Sequence, residues 1–424
     1  MNFAPTLHKL SNGVSVILDP MDVETAVMNI HIKGGTRIEQ PHEYGISHFI
    51  EHMLFKGTKK YPIVNQERDL LMDNGGVRTG GTNPDRTQYY GRILREKFPL
   101  LLDILSEIVL NPVLSREYVE KERGTIIQEL KRSQDDQTRQ FGGVVKKALF
   151  AGSYLEKYDG LGTIETIGSF SAADLADYRN AKYTANNIII GISGKFGDSE
   201  KILSELETRF GAVPCGEDIV VNPGRLHPSI VYDVREDKKQ TRFLIGFESL
   251  YPFERAYDYE NMCLGAFSFA LVSRLHKIVR DKGLAYDFGA SGAGDRHLSV
   301  DGFGGALSPE RLREMIAAIA SASYDILHGN PITLEELNRH KMMKKLRRAD
   351  FLESVVRRRD KLVDFYATEG DLYDPAKIDA MRERITPGDV MKYSCGVFGK
   401  PLSIIAQGPK CDIDLRAAWE DNFK

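Results

Sequence analysis

Residues 46–57 read Ile46-Ser47-His48-Phe49-Ile50-Glu51-His52-Met53-Leu54-Phe55-Lys56-Gly57. Apolar residues recur every three or four positions, which predicts a core helix capped by Ser47 and ended by Gly57. Two histidines four positions apart on a helix point the same way and can both reach one zinc ion at about 2.0–2.1 Å. Glu51 lies close to the same face, where a hydrolytic zinc site needs a base.

A pair of glutamates downstream offers a third ligand. Within residues 119–130, Glu122 and Glu129 are two helical turns apart and lie on nearly one face. One carboxylate can complete the zinc site, while the other can accept a hydrogen bond from a histidine and orient its ring. A histidine pair alone is as typical of hydrogen-bonded core histidines as of a metal site. The glutamate pair at this spacing favours the metal site.

Together these motifs resemble a known family. The sequence His48-x-x-Glu51-His52, followed by Phe55-Lys56-Gly57-Thr58 and the glutamate pair, is similar to the inverzincin zinc metallopeptidases. That family includes pitrilysin, the insulin-degrading enzyme and the β-subunit of the mitochondrial processing peptidase. The resemblance implies one zinc ion per chain. It also implies roles for five residues: zinc ligands His48, His52 and Glu129, the base Glu51, and a histidine-orienting Glu122.

The C-terminal half carries a second part of the resemblance. Arg280 and Tyr286 are similar to the arginine and tyrosine with which the family contacts bound peptide, although their spacing here is one residue shorter than usual. The resemblance implies that Tyr286, with Arg280, holds the substrate carbonyl or its oxyanion. Arg280 is explained equally well as a cation placed favourably at a helix C-terminus.

The segment expected to bind substrate also departs from the family pattern. Where the family tends to carry an Asn-Ala-aromatic stretch, this chain has Val77-Arg78-Thr79-Gly80-Gly81-Thr82. Glycines weaken a strand but allow another backbone to come close, which suits pairing with an extended peptide. A flexible loop is the alternative interpretation. We predict that the substrate binds along this strand.

An internal repeat predicts the domain organisation. The stretch from Ser171 to Gly194 and the stretch from Thr386 to Gly408 each run from a polar helix to an apolar strand, over 23 and 22 positions. The sequence therefore predicts an α+β fold of two homologous domains, each a mostly antiparallel sheet covered by helices. We place a zinc-binding catalytic domain at 1–215, a linker at 216–228 and a substrate-holding domain without the metal motif at 229–424.

Charge and cysteine content limit the setting of the protein. A net charge of −3 and a pI near 6.4 give no reason to expect nucleic-acid or membrane binding. Residues 340–361 carry nine Lys/Arg against three Asp/Glu, which favours a solvated helix face over a polyanion site. The four scattered cysteines suit a reducing compartment. We expect the cytoplasm of a bacterium.

The sequence predicts a zinc endopeptidase that hydrolyses peptides or unfolded segments bound in extended form between its two domains. Two alternatives are a binding or assembly subunit of a heteromeric processing protease and a noncatalytic protein stabilised by zinc. Structural zinc sites usually close with a fourth protein ligand and need no free base, so a full set of three ligands together with Glu51 argues against both. The resemblance further implies a homodimer, with a heterodimer formed with a homologue as the alternative.

Overall fold

The computed structural model describes residues 3–156, 160–220, 224–249, 259–285, 287–295 and 298–424. These residues form helices and two mixed, mostly antiparallel β-sheets, which confirms the predicted α+β class. The chain divides into two compact units that are not contiguous in sequence. Unit 1 comprises Met1–Asp135, Tyr158–Val221 and Arg348–Tyr373, and unit 2 comprises Asp136–Lys157, Asn222–Arg347 and Asp374–Lys424.

Unit 1 contains a sheet with strand order β1-β2-β6-β3-β5-β4. Only β2 and β6 pair in parallel in this sheet, as its described residues show. The strand at 188–194 is apolar and fully buried because both faces of the sheet are covered. The strands are β1 Thr6–Lys9, β2 Ser15–Pro20, β3 Thr25–Lys33, β4 Val77–Thr82, β5 Arg86–Leu94 and β6 Ile188–Gly194.

Unit 2 repeats this topology without the first strand. Its strand order is β7-β11-β8-β10-β9, and the parallel pair, β7 with β11, occupies the position of β2 with β6. The predicted duplication therefore appears as two sheets with matching order. The strands are β7 Ile230–Val234, β8 Thr241–Glu248, β9 Asp287–Gly294, β10 Ser299–Leu307 and β11 Leu402–Gly408.

The helices cover both faces of each sheet. Those that lie wholly in unit 1 are α1 Ile46–Leu54, α2 Gln66–Asp73, α3 Phe98–Leu110, α4 Arg116–Asp135, α6 Ile164–Ser169, α7 Ala172–Lys182, α8 Ser199–Phe210 and α12 Val355–Glu369. Those that include residues of unit 2 are α5 Gln137–Leu149, α9 Tyr259–Asp281, α10 Leu312–His328, α11 Leu334–Glu353, α13 Pro375–Glu383, α14 Pro387–Phe398 and α15 Leu415–Glu420. Helix α11 ends in unit 1.

The repeated closing segments have the same local structure. Ser171 caps α7 and Thr386 caps α14, each in a capping box in which the side chain three residues later accepts a hydrogen bond from the backbone of the cap residue. Each helix leads to the strand that pairs in parallel with the first long strand of its own sheet. The sequence repeat therefore corresponds to one structural element built twice.

Two helices are exchanged between the sequence halves. Helix α5 follows α4 directly, yet it packs on the sheet of unit 2, where Val145 and Leu149 contact Leu244 and Ile405. Helix α12 packs on the sheet of unit 1, against β6, β3 and β2. The boundaries predicted from the sequence, 1–215 and 229–424, follow the two copies of the repeat. They are contiguous and therefore do not include this exchange of helices.

The basic run is in part a buried surface, so its interpretation as a solvated face is wrong for α12. Arg358 is fully buried and its Nε donates to the buried carboxylate of Asp19 on β2 at 2.8 Å. Arg359 is also buried, with its guanidinium 4.8 Å from the ring centroid of Tyr90. These guanidinium groups attach α12 to the outer face of the sheet.

Helix α9 forms the centre of the unit 2 core. Its buried residues include Phe267, Leu271 and Leu275, which pack in the cluster beneath β8 and β10. Among the described residues it is the helix that meets the length and composition expected of a membrane span. Core helices of water-soluble proteins meet the same test, and the expectation that the protein binds no membrane stays a prediction.

Candidate metal centre and active site

Helix α1 holds the motif against the core of unit 1. Phe49, Ile50, Met53 and Leu54 are fully buried on one side of the helix, so the other side presents the two histidines. The prediction that Ser47 caps this helix is wrong, because α1 begins after Gly45 and Ser47 lies in its first turn. The sequence places the helix correctly and misassigns its cap.

The carboxylate of Glu39 satisfies the first turn of α1 in place of a serine cap. It accepts hydrogen bonds from the backbone N–H groups of Gly45 and Ser47, both at 2.9 Å. Burial raises the pKa of Glu39 to about 8, although these two donors oppose the shift. Glu39 lies in a loop before the helix, and no motif in the sequence points to it.

Three predicted ligands converge on one point. Nε2 of His48 lies 3.1 Å from Nε2 of His52, and Oε2 of Glu129 lies 3.8 and 3.7 Å from these two nitrogens. Tetrahedral zinc with bonds of about 2.0–2.1 Å requires donors about 3.3 Å apart. The three donor atoms therefore fit a zinc ion in both spacing and chemistry, and they form a candidate metal group in the described part of the chain.

Glu122 orients His52 from the far side of its ring. Its Oε1 lies 2.7 Å from Nδ1 of His52, and its side chain is only 8% exposed. This contact places the proton on Nδ1 and leaves the Nε2 lone pair facing His48 and Glu129. Burial acts to lower the pKa of His52, but the bond to Glu122 and the nearby carboxylates raise it above its ordinary value. The structure thus places Glu122 behind a histidine and Glu129 beside both.

Glu51 lies beside the three ligands in a buried position. Burial raises the pKa of its carboxyl to about 6; nearby His52 opposes this shift and the Glu129 carboxylate adds to it. The hydroxyl of Thr82 donates to Oε2 of Glu51 in a long contact of 3.5 Å. A carboxylate with a pKa near neutrality can both accept and return a proton at physiological pH.

Strand β4, the predicted substrate strand, runs directly past Glu51. It is an ordered edge strand within the described sheet, paired with β5 from Val77 to Thr82, so the loop interpretation is wrong. A Cβ atom at Gly80 would lie 2.6 Å from Oε1 of Glu51, so the lack of a side chain there allows this close approach. Thr79 is exposed, whereas Arg78 points inward, stacks 4.2 Å from the Phe55 ring and pairs with buried Glu67.

The residues predicted in the C-terminal half belong to unit 2. Arg280 is exposed in the last turn of α9, the position expected for a cation at a helix C-terminus. Tyr286 lies outside the described residues. The peptide-binding roles of both residues stay predictions. His276 of the same helix is exposed and contacts Phe288 edge-on, with ring centroids 6.0 Å apart.

Comparison with known proteins agrees with this geometry. Residues 16–157 match the family model for insulinase, peptidase family M16, and residues 169–344 match the model for the M16 inactive domain. The chain belongs to peptidase family M16. This membership confirms the family resemblance seen in the sequence, and the name of the second model agrees with a unit 2 in which no comparable metal group occurs among the described residues.

Several relatives in this M16 family are named as zinc proteases. An uncharacterised zinc protease of Rickettsia bellii is 28% identical over 95% of this chain and 97% of its own length. The uncharacterised zinc protease YmxG of Bacillus subtilis is 30% identical over 80% of this chain and 82% of its own length. The human mitochondrial-processing peptidase subunit beta is 30% identical over 54% of this chain and 47% of its own length. These names indicate a zinc protease family.

Solved structures share the M16 fold across nearly the whole chain. A protease from Helicobacter pylori superimposes with a TM-score of 0.83 at 18% identity, covering 96% of this chain and all of that one. The first half of the periplasmic protease PqqL from Escherichia coli gives a TM-score of 0.82 at 16% identity, covering 99% and 97%. At these identities the likeness establishes the fold, which confirms the predicted pair of α+β domains.

Proposed function

We propose that this M16 protein is a zinc-dependent endopeptidase that hydrolyses peptides or unfolded segments bound in extended form. The observation that carries the proposal is the convergence of His48, His52 and Glu129 on one point, with the buried carboxylate of Glu51 beside them. A site with three protein ligands and a nearby base is typical of catalytic zinc, because structural zinc usually has four protein ligands. We propose one zinc ion per chain.

In this proposal Glu51 moves the proton. His48, His52 and Glu129 would hold the zinc ion, which would supply Lewis-acid chemistry at the scissile bond. Glu51 takes a proton from the attacking water and later passes it to the leaving amine nitrogen. Burial raises the pKa of Glu51 and so makes its carboxylate a stronger base than that of an exposed glutamate.

Strand β4 is the proposed substrate partner. An edge strand has backbone groups on its outer side that can pair with an extended peptide, and β4 runs past Glu51 at Gly80. Pairing through backbone groups favours peptides that are unfolded, because a folded segment already uses those groups. The family resemblance adds Tyr286 and Arg280 as groups that hold the substrate carbonyl.

A pair of isosteric substitutions tests this proposal. Glu51→Gln keeps the size of the side chain but cannot accept the proton, so peptide hydrolysis should fall by about 10²–10⁴-fold while zinc binding is retained. Glu129→Gln should lower zinc content as well as hydrolysis. The measurements are metal stoichiometry and cleavage of quenched fluorescent peptides on the same preparations. A fully active Glu51→Gln protein, or a parent chain that binds zinc and cleaves no peptide, would contradict the proposal.

The assembly and location of the protein belong to the same proposal. We propose a homodimer in the bacterial cytoplasm, because one chain carries both the metal motif and the Arg280 and Tyr286 elements. Similarity to a protein named as a peptidase subunit favours a heterodimer as the second candidate, with this chain as a subunit of a processing protease. Light scattering of the purified chain at micromolar concentration tests this point, and a monodisperse monomer would contradict the homodimer.

A further inference from the structure

Lys56 occupies a fixed place at the end of the metal-binding helix. Its backbone N–H donates to the carbonyl of Met53 at 3.0 Å and so closes the last turn of α1. The chain then turns at Gly57, whose φ of +111° is rarely adopted by residues with a side chain. A Cβ atom at Gly57 would also lie 2.9 Å from the carbonyl oxygen of Pro62. This turn keeps Lys56 close to the zinc ligands.

The ammonium group of Lys56 contacts Glu122, the residue that orients His52. Nζ of Lys56 lies 2.6 Å from Oε2 of Glu122, while Oε1 of the same carboxylate contacts His52 at 2.7 Å. The Glu122 side chain is 8% exposed and that of Lys56 is 26% exposed. One buried carboxylate is therefore held at both oxygens, by a lysine on one side and a zinc ligand on the other.

This arrangement has a consequence for the direction of the His52 ring. A buried carboxylate with an oxygen lacking a hydrogen bond is costly, so it turns toward whatever donor is near. With Lys56 bound to Oε2, the carboxylate plane is fixed and Oε1 stays on Nδ1 of His52. Without the ammonium group, water or a rotated carboxylate would compete for that contact. The position of Nε2 of His52 would then be less well defined.

We propose that Lys56 is a positioning residue for the zinc site. Lys56 acts through Glu122 on His52 and does not touch the metal. The proposal rests on the proposed zinc-dependent function and deepens it. It extends the chain of contacts by one residue, from ligand to glutamate to lysine. A purely structural role would instead consist of a favourable charge at the C-terminus of α1, which would stabilise the helix and leave zinc affinity alone.

Zinc affinity measured without catalysis separates these roles. Lys56→Met keeps the apolar stem and removes the charge and the donors, so zinc should bind about 10-fold more weakly, at the low end of the 10–100-fold effect of such outer contacts. Lys56→Arg keeps a charged donor and should weaken zinc less. Lys59→Met, at an exposed residue of the same loop, is the matched control and should leave the affinity unchanged. Competition with a chromophoric chelator gives the dissociation constants.

A double-substitution cycle shows whether the effect passes through Glu122. In a Glu122→Gln background, Lys56→Met should cause little further loss of zinc affinity, since the contact it supports is already altered. An equal loss in both backgrounds, or unchanged affinity in Lys56→Met, would overturn the proposal. If Lys56→Met does not fold, as judged by circular dichroism of the zinc-free protein, Lys56→Gln takes its place with the same expected order.

The same measurements distinguish this proposal from the proposed function. Loss of hydrolysis with normal zinc affinity in Lys56→Met would overturn the role of Lys56 and leave the peptidase proposal standing. A parent chain that binds zinc and cleaves no peptide would overturn the peptidase proposal and leave the role of Lys56 in zinc binding standing. A parent chain that binds no zinc would overturn the metal site and the role of Lys56 with it.

Discussion

The two units share one topology and differ in what their central helices carry. Helix α1 of unit 1 presents two histidines and a glutamate, whereas α9, which lies between the corresponding strands of unit 2, is mainly apolar and has His276 as its one histidine. Both helices fill the core beneath a sheet of the same strand order. The fold therefore supports a metal site without requiring one.

Helices α4 and α11 show the same contrast. Helices α4 and α11 are each 20 residues long, and their seventh and fourteenth positions are Glu122 and Glu129 in one, His340 and Arg347 in the other. Glu122 contacts the proposed zinc ligand His52, whereas His340 stacks on Phe269 with ring centroids 5.4 Å apart. The arginine at the position of Glu129 supplies no metal ligand, and the histidine at the position of Glu122 supplies no carboxylate. A few side chains thus separate the unit with the candidate metal group from the unit without one among its described residues.

Removing one histidine from each unit should give the largest difference. His52→Ala should lose most of the bound zinc and nearly all hydrolysis, because a ligand and its contact with Glu122 are both removed. His276→Ala should change neither quantity, since that side chain is exposed on α9. Metal analysis and peptide cleavage on the two variants check this. A comparable loss of zinc in His276→Ala would break the contrast between the units.

The helices on the outer faces of the two sheets provide the second test. Arg358→Met should destabilise the protein by about 3–5 kcal/mol, because it leaves the buried carboxylate of Asp19 uncompensated. Leu149→Ala on α5 should cost about 2–5 kcal/mol through a cavity. Chemical denaturation measures both.

Two further variants test whether the buried ion pair holds α12 in place. Replacing the buried pair together, as Asp19→Leu with Arg358→Met, should recover much of the loss, because no charge is then left buried. The exposed neighbour substitution Arg357→Met should cost less than about 1 kcal/mol. Equal costs for Arg357→Met and Arg358→Met would show that the buried pair does not hold α12.

The pH dependence of stability should show the smallest effect. Burial, with Lys344, Arg382 and Arg347 nearby, lowers the pKa of His340 to about 3. The unfolded chain takes up the proton below about pH 6.5 while the folded chain does not, so this stability is complete above pH 6.5 and is lost as the pH falls toward 3. Between pH 6.5 and 5, the free energy of unfolding of His340→Leu should therefore fall by about 1.5–2 kcal/mol less than that of the parent.

Denaturation curves at several pH values measure the His340 effect. His328→Leu, at an exposed histidine of the same unit, is the control and should keep the slope of the parent. Identical pH profiles for the parent and His340→Leu would mean that His340 is protonated in the folded protein.

Much of the candidate site could be predicted from the sequence because its parts are local. Spacings of four and seven residues on helices fix which side chains share a face, and His48, His52, Glu122 and Glu129 lie where that rule places them. Lys56 belongs to the motif segment, yet its proposed role depends on a contact with Glu122, which is 66 positions away. Glu39 gives no local signal, because it caps a helix from a loop that folds back onto it.

The α+β class, the internal repeat, the motif helix and the spacing of the proposed ligands could all be predicted, because each is a pattern of neighbouring residues along the chain. That α5 covers the second sheet and α12 the first is evident only once the chain is folded. The pattern of an amphipathic helix predicts that one of its faces is buried, but it does not predict which sheet that face packs against. Arg358 is a similar case. Its charge predicts a solvent-exposed side chain, and only the fold shows that it is buried beside Asp19.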